Sequence, residues 1–398
     1  MRYFFISTIP KALLILLLLL SFSQIKKSSA EEYSVPHFGS PYLSLNELSN
    51  NEILHLPTGL KVSFEQMQNV VSSSKVIYIG ETHDNTEAHR VQLKIIKDLA
   101  QRFPKKLSVG MEMFRRSAQK DLDRWSKGAL PLKEFKKLFR KNWGTGYELY
   151  KPIFDFISKN HIPLIGLKPS KKTEDLFRKN AFSNKAMLPE IDFDDRYHRP
   201  FSMSIFGSHK TMENPYRMLL LWEEAMAETV ANFVQDPSNT DSKLIVLAGG
   251  FHIQYGFGIP KRSFRRVPHS YMIILPTVTE LPSELKDREM DVQHVSIPLY
   301  SGDYAWKVQY KVLPTRKVKL GVILEISKNT VRIKSVSANS NAEQAGLKKG
   351  DLLLEIDGTE LIDIEDLTDK LKSLDLGDRT RLIVKRGSEK MDVEIQFR

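Results

Sequence analysis

Five short apolar runs separated by helical patterns constrain this chain most: Val76–Ile79, Leu107–Met113, Ile162–Leu167, Leu244–Ala248 and Tyr271–Leu275. Runs of four to eight apolar residues bounded by breakers suit strands buried on both faces. Between them the apolar spacing changes to that of helices. Val91, Ile95, Leu99 and Phe103 recur every fourth residue across Ala88–Phe103, which places them on one helical face. Tyr147–Asn160 reads as a helix, and so does Pro215–Phe233, where Leu219, Trp222, Met226, Val230 and Phe233 share a side. Strand and helix in alternation predict an α/β domain, a mostly parallel sheet covered by helices. Residues 168–213 are polar and rich in His, Arg and Phe, and are expected to form an inserted excursion or lid. Residues 31–65 read as irregular, and the rhythm breaks again around Pro276–Pro314.

The residues at the end of each run carry the chemistry. Val76–Ile79 leads into Gly80-Glu81-Thr82-His83-Asp84, Val109–Met111 into Glu112, Leu164–Leu167 into Lys168, and Leu244–Ala248 into Gly249-Gly250-Phe251-His252. Ligands of open parallel sheets bind beyond the carboxyl ends of the strands. If the runs are parallel strands of one sheet, His83, Glu112, Lys168 and His252 share one rim. Gly80-x-x-His83 and Gly249-x-x-His252 repeat one small motif, with glycine expected to make the turn and histidine to face across the rim.

Each residue also has a plainer explanation. Asp84 with Glu87 makes a capping box for the next helix. Glu112 in an apolar run needs a partner, and Arg115, Arg116 or Lys168 would supply a structural ion pair. A helix N-terminus next to His83 favours neutral imidazole, the form needed for metal ligation or general-base work. Glu81, His89 and Lys168 are balanced between site and scaffold, and the other histidines are taken as scaffold.

The end of the chain has a different pattern. Short β-like segments surround one helix near Ile364–Leu374, and Arg316–Arg398 holds 16 basic and 15 acidic residues. Leu320-Gly321-Val322, then SVSANSNAEQAGLKKGDLLLEIDGTEL (Ser335–Leu361), resembles a PDZ domain of the bacterial envelope kind. The resemblance implies that Leu320, Gly321 and Val322 receive a peptide's terminal carboxylate. The peptide would lie as an added strand against a helix bearing Leu367 and Leu371. The alternative is a module that only packs on its neighbour.

The larger domain also resembles a known family. GETHDN with His89 and Gln92, GMEMF (Gly110–Phe114), Trp143, Tyr147 and Tyr150, then GGFHIQYGFGIPKR (Gly249–Arg262) and Gly302–Trp306 are similar to the ChaN-like, haem-binding-uptake branch of the Tiki superfamily. That resemblance implies an envelope protein linked to iron and haem, with haem at a dimer interface. The wider superfamily implies metal-dependent hydrolysis, with His83 and His252 as metal or catalytic groups and Glu112 as their acidic partner. The expected organisation is therefore a signal peptide (1–30), a ChaN-like domain (31–312, core about 61–306) and a PDZ domain (313–398).

Arg2 and Lys11 bracket a short apolar start, and Ser28-Ser29-Ala30 ends it, which suits an export signal cleaved after Ala30. An uncleaved anchor is the alternative, but the run is shorter than the roughly 20 residues a membrane span takes. Cleavage would remove four basic residues and no acid, lowering the net charge from +11 to +7. The destination expected is the periplasm or cell envelope, where a basic protein meets anionic ligands and lipid headgroups before nucleic acid. The chain has no cysteine, which excludes disulfides, thiolate nucleophiles, Cys-based metal centres and a lipid-modified N-terminal cysteine.

Three functions compete. In the first, haem is bound by Tyr255, His252 or Tyr147 (Tyr150 being a further choice), with Lys261, Arg262, Arg265 and Arg266 near its propionates. In the second, His83, His252 and Glu112 hold zinc, manganese or cobalt for hydrolysis, with Glu81 as a base. In the third, the protein is a scaffold acting through its PDZ domain.

Overall fold

The structure, a computed structural model, describes residues 44–179, 188–206, 213–288, 297, 299–313, 318–327 and 330–398. The expected signal peptide lies outside the described residues. Leu43–Arg398 forms one compact unit.

The strands of the large domain are β1 (Ile53–His55), β2 (Leu60–Val62), β3 (Val76–Glu81), β4 (Leu107–Arg115), β5 (Leu164–Lys168), β6 (Lys243–Gly249), β7 (Tyr271–Thr277) and β8 (Tyr304–Lys307). They form one sheet in the order β2-β1-β8-β7-β3-β6-β4-β5. From β8 to β5 every pairing is parallel, while β1 and β2 are antiparallel at the edge. The α/β architecture expected from the runs is therefore present. Two expectations change. Residues 31–65 contain two short strands, and the proline-rich stretch after β7 returns as β8 inside the sheet.

The helices are α1 (Phe64–Val71), α2 (Thr86–Arg102), α3 (Gln119–Ser126), α4 (Leu132–Asn142), α5 (Tyr147–Lys159), α6 (Lys171–Arg178), α7 (His198–Phe206), α8 (Glu213–Gln235) and α9 (Ile259–Arg266). The runs are unbroken because both faces of the sheet are covered. On β3, Ile77 and Ile79 enter one core layer, shared with Val91, Ile95 and Leu99 of α2. Val76 and Tyr78 enter the other, shared with Met226 and Val230 of α8. The expected excursion supplies α6 and α7. The capping box does not form. Asn85 caps α2 by accepting from Glu87 N–H, and Asp84 accepts from the Tyr310 hydroxyl at 2.5 Å.

The C-terminal domain is a second, antiparallel sheet built from β9 (Val322–Ser327), β10 (Thr330–Val336), β11 (Leu352–Ile356), β12 (Thr359–Glu360), β13 (Arg379–Arg386) and β14 (Glu389–Gln396). Its helices are α10 (Asn341–Gln344) and α11 (Ile364–Lys372), and β9 is an edge strand of the order β14-β13-β11-β10-β9.

Candidate functional site

Strand β6 lies between β3 and β4, so three adjacent strands deliver their carboxyl ends to one place. Glu81 closes β3 level with Gly249 at the end of β6. Glu112 comes from β4, which continues past Met111 beyond its register with β6. His83, Glu81, Glu112, Lys168 and His252 are thus brought to one rim, as the sequence implied. The glycines act differently from the expectation. Gly80 lies within β3, and neither Gly80 nor Gly249 adopts positive φ. A Cβ on Gly249 would come within 3.0 Å of His83 Nε2 and 3.6 Å of Glu112 Oε2. Glycine is needed there for close approach of the two side chains.

The two histidines differ in kind. His83 Nδ1 is 2.7 Å from Glu81 Oε1, and its side chain is 44% exposed. Glu81 is held by further donors: the Tyr150 hydroxyl gives to Oε1 at 2.7 Å, Gln92 Nε2 gives to Oε2 at 2.8 Å, and His89 Nδ1 lies 3.3 Å away. Burial alone would raise the Glu81 carboxyl, but His89 and His83 outweigh it and leave it at about 2. Burial opposes a charge on His83, but Glu81 and Glu112 outweigh it and raise its pKa, so the neutral imidazole expected beside a helix N-terminus is not favoured here; Nε2 points toward Gly249 at the rim.

His252 is enclosed. Its Nδ1 is 3.1 Å from Glu223 Oε1, and its Nε2 is 3.4 Å from Glu112 Oε1. Burial opposes a charged imidazole, yet Glu112 and Glu223 overcome it and raise His252 to about 10. An imidazolium between two carboxylates has an N–H directed at each of them. Glu112 also accepts the Gly249 N–H at 2.9 Å and lies 4.0 Å from Lys168 Nζ. Burial resists its ionisation, but His252, His83 and Lys168 hold it well below the usual carboxylate range. Of its three expected ion-pair partners, only Lys168 is near. Arg115 pairs with Glu174 and Arg116 with Glu228. Lys168 itself sits between the rings of Trp222 (4.3 Å) and Trp143 (5.2 Å). Among the described residues, no group of three His, Asp or Glu stands in metal-holding geometry. Of the expected donors, His252 pairs with Glu112 and His83 pairs with Glu81.

Sequence reasoning missed Glu223 and His198. The Glu223 carboxylate bridges His252 and His198, whose Nε2 is 2.7 Å from Glu223 Oε2. Burial works against the charge, but His198, His252 and Arg262 set Glu223 at about 2. One signal was available: Glu223-Glu224 interrupts the apolar stripe of α8. His198 lies far away in sequence and gave none.

The expected haem residues separate. Tyr147 is packed among Phe135, Phe139 and Phe154, with its hydroxyl buried and lacking a hydrogen-bond partner among the described residues. Arg262 is only 1% exposed and faces Asp195, Glu223 and Glu224, so it is turned away from any surface propionate. Arg265 and Arg266 also pair with Glu224. Tyr255 is different. It has a left-handed backbone (φ 58°), donates its N–H to Ser301 O at 2.7 Å, and packs against Phe201 and Phe257. Around it Phe251 is 37% and Tyr197 67% exposed, and Lys261 Nζ stands 5.7 Å from the Tyr197 ring while pairing with Asp195.

In the C-terminal domain, Leu320, Gly321, Val322, Leu367 and Leu371 line one groove of about 320 Å³ between β9 and α11. Gly321 has φ +84°, and a Cβ there would fall 2.2 Å from Ser340 Cβ.

Residues 67–262 match the family model described as haem-binding uptake, Tiki superfamily, ChaN, and residues 318–397 match the PDZ domain model. Among curated proteins, the Do-like serine protease HtrA of Lactobacillus helveticus is 33% identical over 70 residues, 18% of this chain. The chain spans only 17% of that protease's length. Among solved structures, ChaN of Campylobacter jejuni with cofacially bound haem is 18% identical, covering 65% of this chain and 98% of that one at a TM-score of 0.48. The HtrA-type protease AlgW with a decapeptide is 20% identical over 21% of this chain and 30% of that one, at a TM-score of 0.20.

Proposed function

We propose that this protein, a ChaN-like domain joined to a PDZ domain, is an exported haem-binding protein that also takes a peptide in its PDZ groove. The observation carrying the reading is the Tyr255 loop. A half-buried tyrosine held in left-handed backbone lies within a partly exposed aromatic surface formed with Phe201, Phe251, Phe257 and Tyr197. Flat apolar walls suit a porphyrin face, and a phenolate is an iron ligand. When bound, haem supplies an iron that accepts the Tyr255 oxygen. Lys261, 43% exposed and paired with Asp195 at 2.7 Å, is the outward cation that would meet a propionate by exchanging that partner, whereas Arg262 is enclosed. His252, with both nitrogens engaged, takes no part as a ligand. Export rests on residues 1–30, and a homodimer would cover the exposed aromatic rings.

Titrating the full mature chain with haem should give a saturable Soret shift. Tyr255→Phe is expected to weaken binding at least about tenfold, ~1.4 kcal/mol, while His252→Gln binds as wild type. Unchanged affinity in Tyr255→Phe would sink the assignment.

One observation favours a second reading. Glu81 holds His83 Nδ1 at 2.7 Å and turns Nε2 toward Gly249, an arrangement suited to general-base hydrolysis at a pH above the raised value of His83. Assayed on ester and peptide panels, His83→Gln would then lose about a hundredfold in rate with haem binding intact. Absence of turnover across the panels in the wild-type chain rules the reading out.

A further inference from the structure

Helix α11 has two faces, and both are in use. Its inner face closes the PDZ groove with Ile364, Leu367 and Leu371. Its outer face meets the α4–α5 pair through charge. Lys137 reaches Asp363 at 2.7 Å, Lys133 reaches Asp366 at 2.8 Å, Lys136 reaches Asp369 at 2.7 Å, and Lys372 returns to Glu148 at 2.6 Å. Every cation of α4 in this set meets an acid of α11, and the one cation from α11 meets an acid of α5. Surface pairs are individually weak, but Asp363 has only 5% of its side chain exposed and also caps α11 by accepting from Asp366 N–H at 3.2 Å. Thr368 lines the groove on one side and the crevice between the domains on the other. Tyr147 and Phe139 line that same crevice.

The same two helices also hold the rim. Beyond the end of α4, Trp143 stands edge-on to His83 with ring centroids 5.0 Å apart, and Asn142 accepts the Arg115 N–H at 3.1 Å. Tyr150 of α5 donates to Glu81 at 2.7 Å. The outer face of the groove helix is therefore two contacts away from the carboxylate–imidazole pair at the rim.

We propose that α11 couples the two sites, so that a peptide seated in the PDZ groove is sensed at His83 and Glu81 through the α4–α5 ion clamp. The proposal rests on the peptide-binding reading above. A strand added between β9 and α11 presses on a helix whose opposite face is ion-paired to α4 and α5, so a shift of α11 bears on them through those pairs. Coupling is reciprocal: anything that loosens the clamp changes peptide affinity.

The test uses the full mature chain and a fluorescein-labelled peptide with a free C-terminal valine. Peptide affinity is read by anisotropy, and the Trp143 indole N–H by NMR, assigned through Trp143→Phe. The clamp is broken in Lys133→Glu/Lys136→Glu/Lys137→Glu, and more gently in Lys136→Gln/Lys137→Gln in case the reversal unfolds the chain. Peptide should shift the Trp143 signal in the wild type and not in the clamp variants. Its dissociation constant should differ between them by about fivefold or more, and less in high salt. Equal affinities, or no Trp143 response in the wild type, overturn the coupling and leave peptide binding standing. No binding to any of the three proteins overturns both.

Discussion

Replacing Arg262 with methionine will destabilise the α/β domain by about 3–5 kcal/mol, the cost of breaking a buried ion cluster from one side. Arg262 lies with Nη1 3.3 Å from Asp195 and Nε 3.6 Å and 3.5 Å from Glu223 and Glu224. Asp195 keeps Lys261, and Glu224 keeps Arg265 and Arg266. Glu223 is left with its two imidazoles and no permanent cation, so the penalty falls mainly there. Methionine fills the volume without the charge and without the Nη1 hydrogen bonds to Asp195 and the Phe257 carbonyl, both 3.3 Å. Urea denaturation at neutral pH measures the loss. A second substitution, Glu223→Gln, should restore part of it, because the uncompensated charge is removed. A loss below about 1 kcal/mol would place this arginine with ordinary surface pairs.

The second large effect is alkaline. His252 binds its proton more tightly folded than unfolded, since its folded value is about 10 against an ordinary 6.5. The stability it contributes is complete below about pH 6.5 and is lost as pH rises through 10. At one pKa unit per 1.36 kcal/mol, the loss is on the order of 4 kcal/mol. Glu81 and Glu223 act at the other end: held at about 2, they contribute above their unfolded values and cease to as pH falls toward 2. The attraction between His252 and Glu223 is one interaction seen from two partners and counts once. Unfolding free energies measured from pH 6 to 10 should therefore fall. In His252→Gln the alkaline slope should flatten, on a lower starting stability. A slope unchanged by the substitution would show that His252 is not the group responsible.

The sequence exposed the parallel strands because burial on both faces makes a strand uniformly apolar, as Val76–Ile79 and Leu244–Ala248 are. It marked the rim as well, since polar residues directly after such runs have few other places to go. It misjudged β8, whose Tyr304–Lys307 segment comes after a proline-rich stretch, because four residues are too few to show a period. It misjudged Asp84, because Asp84 and Asn85 both suit a helix cap and only backbone geometry separates them. For Tyr147 the helix was legible, but its packing against three phenylalanines was not, because those partners come from other parts of the chain or other turns of the helix.

The amino-acid order alone determined that one sheet would carry His83, Glu112 and His252 to a common edge, and that a PDZ-like module would come after it. Only the tertiary structure decided that the two Gly-x-x-His motifs are unequal. His83 meets a carboxylate two residues away and keeps one nitrogen free. His252 meets Glu223 and Glu112, which come from a helix and a strand far off in the chain. An imidazole's protonation is set by the charges around it, and charges brought in from distant elements cannot be read from the residues beside it.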